Sequence, residues 1–171
     1  MAASSRLQVP RWAAPVGLVL TVAGIGVAIY LTIAHYDTGV SLVCSSKGAI
    51  NCEKVTTSAQ SKVFGIPVAV LGLAYFVGML PLQLPAAWRS PDPRIKWGRL
   101  AYCAAGIGFV FYLVYAEAVI IKAICLWCTS VHVLTLLLFI VTGFATALLF
   151  PSSDDFDDRE EIPGVAQRNP S

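Results

Sequence analysis

Four stretches of this 171-residue chain are long and apolar enough to cross a lipid bilayer. A transmembrane helix needs about 20 mostly apolar residues, and that requirement leaves little choice of architecture. The first stretch runs from Ala13 to Ala34, between Arg11 and Asp37. The second lies within residues 63–88, and the third follows Arg99 and reaches Ile121 with Glu117 as its one charge. The fourth opens at the pair Cys125–Cys128 and ends near Phe150. Composition agrees, with 57% hydrophobic and 13% charged residues, against roughly half and a quarter in soluble domains. The expected fold is all-α, an integral membrane four-helix bundle. Residues 1–12 form an N-terminal tail, 13–150 the membrane domain, and 151–171 an acidic tail whose Asp, Glu, Pro and Gly predict disorder.

The first apolar run exceeds the 7–15 residues typical of a signal peptide, and no A-x-A site follows it, so it reads as a retained helix. Lys and Arg near the helix ends set orientation. With the N-terminus inside, the cytoplasmic side holds Arg6, Arg11, Arg89, Arg94, Lys96 and Arg99, and the far side holds Lys47, Lys54, Lys62 and Lys122. Both termini are therefore expected in the cytoplasm. A formal net charge of +2 is too small to suggest nucleic acid.

Five cysteines then sort by depth. Cys44 and Cys52 fall in the first outer loop, and Cys125 and Cys128 at the outer end of the fourth helix. Cys103 precedes Cys125 by 22 positions, roughly 33 Å along a helix, so it reads as a small apolar residue near the inner end. The other four gather on the face where disulfides persist. A C-x-x-C at a helix N-terminus meets unpaired N–H groups and the positive end of the helix dipole, which favour the reactive thiolate. Residues three apart also share a helix face, so Cys125 and Cys128 can reach each other. Spacing alone leaves two readings open for Cys44 and Cys52: a static staple of the loop, or a shuttle. Four-cysteine zinc binding fits poorly, because the C-x7-C spacing lacks the tight knuckle of structural zinc sites; no metal is expected.

The stretches CSSKGAINCEKVTTSAQSKVFGIPVAVLG and YLVYAEAVIIKAICLWC resemble the bacterial homologues of vitamin K epoxide reductase. The likeness spans about residues 13 to 150. It rests on the spaced cysteine pair, a Ser six residues after the second cysteine, the G-I-P at the second helix, and the C-x-x-C at the fourth. It implies a membrane enzyme of disulfide formation that reduces a quinone, menaquinone or ubiquinone. In that scheme Cys44 exchanges with a thioredoxin-like (DsbA-like) partner. Cys52 passes electrons to Cys125 through a transient disulfide between them, and Cys128 lies closest to the quinone. Ser58 corresponds to a serine near the quinone ring, on a short surface helix from Glu53 to about Ser61. The location implied is the bacterial plasma membrane, with the cysteines on the extracytoplasmic side. Members with a fused thioredoxin-like domain extend well beyond the fourth helix. Here the sequence ends about twenty residues after it, so the partner is expected to be a separate protein. His132 stands where the animal enzymes carry a Tyr, so vitamin K epoxide reduction is not implied.

Quinone reduction also moves protons. Glu117 and His132 are the nearby ionisable candidates within the spans, and charges inside a span are costly and often functional. Glu117 also reads as a side chain snorkelling near Lys122, and His132 as a polar residue facing the bundle. Phe109, with Phe111 and Tyr112, reads as an aromatic pocket wall or as packing. Gly17, Gly24 and Gly26 on the first helix, and Gly106 and Gly108 on the third, predict close helix approach. Two other functions remain open: a non-catalytic tetraspan protein stapled by Cys44–Cys52, and reduction of a naphthoquinone epoxide by the same thiols.

Overall fold

The computed structural model describes residues 10–37, 39, 44 and 50–148. The acidic tail 151–171 and most of the 1–12 segment lie outside the described residues. In chain order the elements are α1 (Ala13–Tyr36), α2 (Cys52–Thr56), a 3-10 turn (Ala59–Ser61), β1 (Lys62–Val63), β2 (Ile66–Pro67), α3 (Val68–Gln83), α4 (Pro85–Arg89), α5 (Pro93–Tyr115), a π-helical turn (Ala116–Ile121) and α6 (Leu126–Ala147). The fold is an all-helical membrane bundle. Helix α1 packs between α3 and α6, and α5 lies chiefly against α6.

Among the described residues, three helices are long and apolar enough to span: α1, α5 with its π-turn extension (Pro93–Ile121), and α6. The fourth apolar helix, α3, has 16 residues, short of the single span expected within 63–88. Two local causes shorten it. A two-stranded hairpin, pairing Lys62 with Pro67 and Val63 with Ile66, takes up its first residues. Phe64 (φ 52°) and Gly65 (φ 81°) form its tip, as a tight primed turn requires. At the other end Pro81 lies in the last turn, and Leu84 is extended (ψ 146°), which separates α3 from α4.

Helix α5 begins six residues before Arg99, with Pro93 in its first turn and Asp92 capping it through the Arg94 N–H (2.8 Å). Arg99, expected at the membrane surface, is consequently drawn inside. It is fully buried, its guanidinium 3.4 Å above the Trp88 ring, an arrangement that favours a cation. Beside it Gln83 donates to Thr142 Oγ1 (3.2 Å) and accepts from Trp88 Nε1 (3.1 Å). These side chains tie α3, α4 and α6 together at the end of the bundle remote from the cysteines.

Between that end and the cysteines lies an apolar layer of Ala28, Phe76, Met79, Leu138 and Cys103. Cys103 thus packs as a small apolar residue, wholly buried and unpaired. Close approach of α1 and α3 depends on Gly24, where a Cβ would overlap the Phe76 ring, and on Gly17, which faces Gln83. Gly106 takes the Tyr75 ring in the same way, whereas Gly26 and Gly108 face open space, so only part of the expected small-residue seam is used. Gly24→Leu is expected to destabilise the protein by about 1–3 kcal/mol through overpacking, and Gly26→Leu to leave it unchanged. Thermal unfolding of both variants in detergent checks this.

Candidate functional site

The short stretch from Asn51 to Ser61 is rich in hydroxyl side chains that bond back to the backbone. Asn51 caps α2 by accepting from the Lys54 N–H (2.9 Å). Thr56 and Thr57 donate to the carbonyls of Cys52 (3.0 Å) and Glu53 (2.7 Å), and Ser58 to that of Val55 (2.7 Å). Such local bonds compete with helix continuation. The surface helix expected from Glu53 to Ser61 is therefore two pieces, α2 and the 3-10 turn, with extended Ser58 between them. Cys52 opens α2 and is bonded to Cys44, with Cα atoms 6.0 Å apart.

Cys125 and Cys128 come to the same place by a different route. The chain leaves α5 through the π-helical turn, reverses at Lys122 in the left-handed region (φ 53°), and runs extended to Cys125, the N-cap of α6. This linker pairs with the outer loop: Ile50 lies opposite Ile124 in a parallel bridge, and the Asn51 N–H donates to the Ile124 carbonyl (3.1 Å). One backbone contact thus aligns the residues just before Cys52 with those just before Cys125. Cys52, Val55, Ile121, Ala123 and Cys125 form one buried cluster, with Cys44, Trp127 and Cys128 packed against it.

Both sulfurs of the C-x-x-C are free thiols. Cys125, one residue outside the span, is held below its usual pKa. The Cys128 thiol contributes most by bonding to its sulfur, and the Cys128 N–H (3.3 Å) contributes as well. Neighbouring donors favour a thiolate, the nucleophile of disulfide exchange. The N-terminal position expected to activate a cysteine is the one Cys125 occupies.

For Glu117 the sequence left two readings, a proton-transfer residue or a snorkelling side chain, and the structure departs from the second. Within the π turn its side chain points inward, 7% exposed, rather than snorkelling toward Lys122, which is itself exposed. Its Oε2 accepts from the Cys125 N–H (3.4 Å), and its backbone carbonyl accepts from the Ala123 N–H (3.2 Å). One residue therefore receives two hydrogen bonds from the linker that carries the dithiol.

Below the cysteines lies a cavity of about 340 Å³. Its wall is mostly apolar, built from α1, α3, α5 and α6, and its polar side chains include Ser58, Glu117, Cys128 and His132. Phe109 also lines it, whereas Phe111 and Tyr112, at 71% and 45% exposed, face outward and do not. His132 is buried on the α6 face one turn past Cys128. The cavity is further lined by His35, in the last turn of α1, so the chain's two histidines share one wall. Sequence reasoning passed over His35; the available signal was an ionisable residue at the outer end of a span, level with the cysteines. Tyr75 and Tyr102, stacked 5.1 Å apart and nearly parallel, lie deeper along the same wall.

An apolar chamber with a few convergent polar groups at one end is the usual form of a small-molecule site. A flat, largely apolar ring fits that description, with Ser58, Glu117, Cys128 and His132 as the polar groups of the wall. Cys128 sits at once in the cavity wall and against the cluster that holds Cys52 and Cys125. The site can therefore exchange disulfides on its outer side and electrons with a lipophilic molecule on its inner side.

The family model of the vitamin K epoxide reductase family matches residues 15–143, a stretch that contains both cysteine pairs and all the cavity residues named above. Together with that match, the helical membrane bundle and its clustered cysteines place this chain among membrane thiol–disulfide and quinone oxidoreductases: it belongs to the vitamin K epoxide reductase family.

Proposed function

We propose that this protein re-oxidises a separate thioredoxin-like partner and delivers the electrons to a membrane quinone, supporting disulfide formation in a bacterial plasma membrane. In this reading residues 13–150 form the membrane domain, α3 makes the fourth crossing, the cysteines face the extracytoplasmic side and both termini lie in the cytoplasm. A helix as short as α3 is tolerated where the bilayer thins locally.

The observation that carries the proposal is the sharing of Cys128 between the cysteine cluster and the cavity wall. A thiolate of the partner attacks the Cys44–Cys52 disulfide, and a second attack releases the partner oxidised. The loop pair is left as two thiols. In the oxidised form of the inner pair, the Cys52 thiolate attacks Cys125 of the Cys125–Cys128 disulfide and releases Cys128; Cys44 then attacks Cys52, so the loop disulfide re-forms and Cys125 and Cys128 are left as thiols. Closure of the Cys125–Cys128 bond sends two electrons and two protons to the quinone, which leaves as quinol. Each exchange needs a thiolate and an accessible sulfur. Phe109 packs against the ring, His132 meets one of its oxygens, and Ser58 donates to the other once its hydroxyl turns from the Val55 carbonyl.

Acid quenching of membranes, followed by alkylation that counts thiols at each cysteine, tests the reading. With quinone present Cys125 and Cys128 are expected oxidised. With quinone depleted they become reduced and the loop pair follows. Disulfides that persist in all four cysteines under both conditions would mean a staple, and the enzymatic reading would fail.

Two variants separate the steps. Cys128→Ser is expected to abolish quinol formation and to accumulate a Cys52–Cys125 disulfide, seen by peptide mapping under non-reducing conditions. Cys44→Ser stops oxidation of a thioredoxin-like protein but leaves oxidation of dithiothreitol-reduced Cys125–Cys128 by quinone within about twofold of wild type.

A further inference from the structure

Glu117 has no evident structural reason to be acidic. The hydrogen bond it accepts from the Cys125 N–H asks only for an oxygen, which the amide of a glutamine offers equally. A carboxyl buried in a span carries a cost that a purely packing residue does not. Its position is specific all the same. It lines the cavity together with Cys128 and His132, and it bonds to the backbone N–H of Cys125, the other redox cysteine. Among the described cavity-lining residues it is the one carboxylate.

The chemistry at this place has an unassigned proton. Closure of the Cys125–Cys128 disulfide removes a proton from each sulfur while two electrons leave, and the reduced ring takes up two protons. Solvent is a poor intermediary, because the cavity wall is overwhelmingly apolar. A general base must be able to reach the proton it removes, directly or through one water; Glu117 shares the cavity wall with Cys128 and is tied to the N–H of Cys125, three residues before it.

We infer that Glu117 is a catalytic base and acid of this site: it takes the thiol proton of Cys128 and returns it to the quinone oxygen. The inference rests on the quinone-reducing function proposed above. As the Cys128 S–H bond breaks, the proton moves to the carboxylate, and the electron pair left on sulfur is available to the acceptor. The S–S bond to Cys125 forms, the protonated carboxyl gives its proton to one quinone oxygen, and the Cys125 proton goes to the other. The π-helical turn serves this step, since it aims the Glu117 side chain back under Cys125 instead of out to lipid.

The test is single-turnover oxidation of dithiothreitol-reduced full-length protein by a water-soluble short-chain quinone, followed by quinol absorbance from pH 5.5 to 9 in H2O and D2O. The titratable groups facing Glu117 are Cys125 and Cys128 from the C-x-x-C, His132 from α6, His35 from α1 and the Tyr75 and Tyr102 pair deeper in the wall. No ionisable side chain of the α2 segment lines the cavity. Glu117→Gln, which keeps the acceptor for the Cys125 N–H, is expected to slow the step on the order of 100-fold, to lose the acidic limb of the pH profile and to lower the solvent isotope effect. Glu117→Asp keeps the limb at a reduced rate. Exchange of Cys44–Cys52 with a reduced thioredoxin, read by alkylation, stays at wild-type speed in both variants and shows that they are folded. A Glu117→Gln protein with wild-type rate and pH profile overturns the inference. So does one whose slowing leaves the profile and isotope effect unchanged, since the residue then only holds the linker. If wild-type thiols are not oxidised by quinone at all, the proposed function fails first, a result distinguishable from either of these.

Discussion

Away from water an unpaired peptide N–H or carbonyl costs several kcal/mol, so buried chain that departs from helix must find its partners within the protein. This protein departs from helix at the point where its chemistry is concentrated. Between Ile121 and Leu126 the backbone reverses through a left-handed Lys122 and runs extended, and the freed groups are met one by one. Ala123 N–H finds the Glu117 carbonyl, Cys125 N–H the Glu117 carboxylate, and the Ile124 carbonyl the Asn51 N–H. The bonds that make the irregular linker tolerable are also the bonds that bring the outer loop, the dithiol and a buried acid together. Stability of the linker and assembly of the site are one arrangement.

The cavity follows from helix packing of ordinary kind. Gly24 lets the Phe76 ring sit against α1, and Gly106 receives the Tyr75 ring from α3. Both rings lie along the cavity wall. Small residues thus draw the backbones together at chosen levels while large rings keep a chamber open beside them. At the remote end, the Gln83, Trp88, Thr142 and Arg99 group fastens the helices by hydrogen bonds and a cation–ring contact, where lipid offers no hydrophobic drive for association.

Much of this was legible in the sequence because it depends on long, repeated signals. Apolar runs of twenty residues announce α1, α5 and α6, and counting along them separates Cys103 from the other four cysteines; the reading put it near the inner end, and the early start of α5 at Pro93 leaves it instead in the apolar layer. The C-x-x-C at a helix N-terminus is a local pattern and was readable as such. What the sequence did not disclose depends on single residues or on partners distant in the chain. Nothing in AEAVII marks a π turn, and without it Glu117 appears free to snorkel. A lysine at φ 53° carries no sequence signal at all. The early start of α5, which buries Arg99, hinges on Asp92 and Pro93, a capping pair hidden in a segment that looks like a loop. His35 escaped notice because its value comes from lining the same cavity as His132, a relation between α1 and α6.

The layer formed by Ala28, Phe76, Met79 and Leu138 has a bioenergetic meaning. It stands between the cavity and the far end of the bundle, and its side chains neither carry nor relay a proton. Under the proposed function, electrons and protons both enter from the cysteine side and leave together on a neutral quinol. No net charge then crosses the bilayer in a turnover. The membrane voltage exerts no work on such a cycle, so it can run equally in an energised and a de-energised cell, and its driving force is set by the redox couple alone.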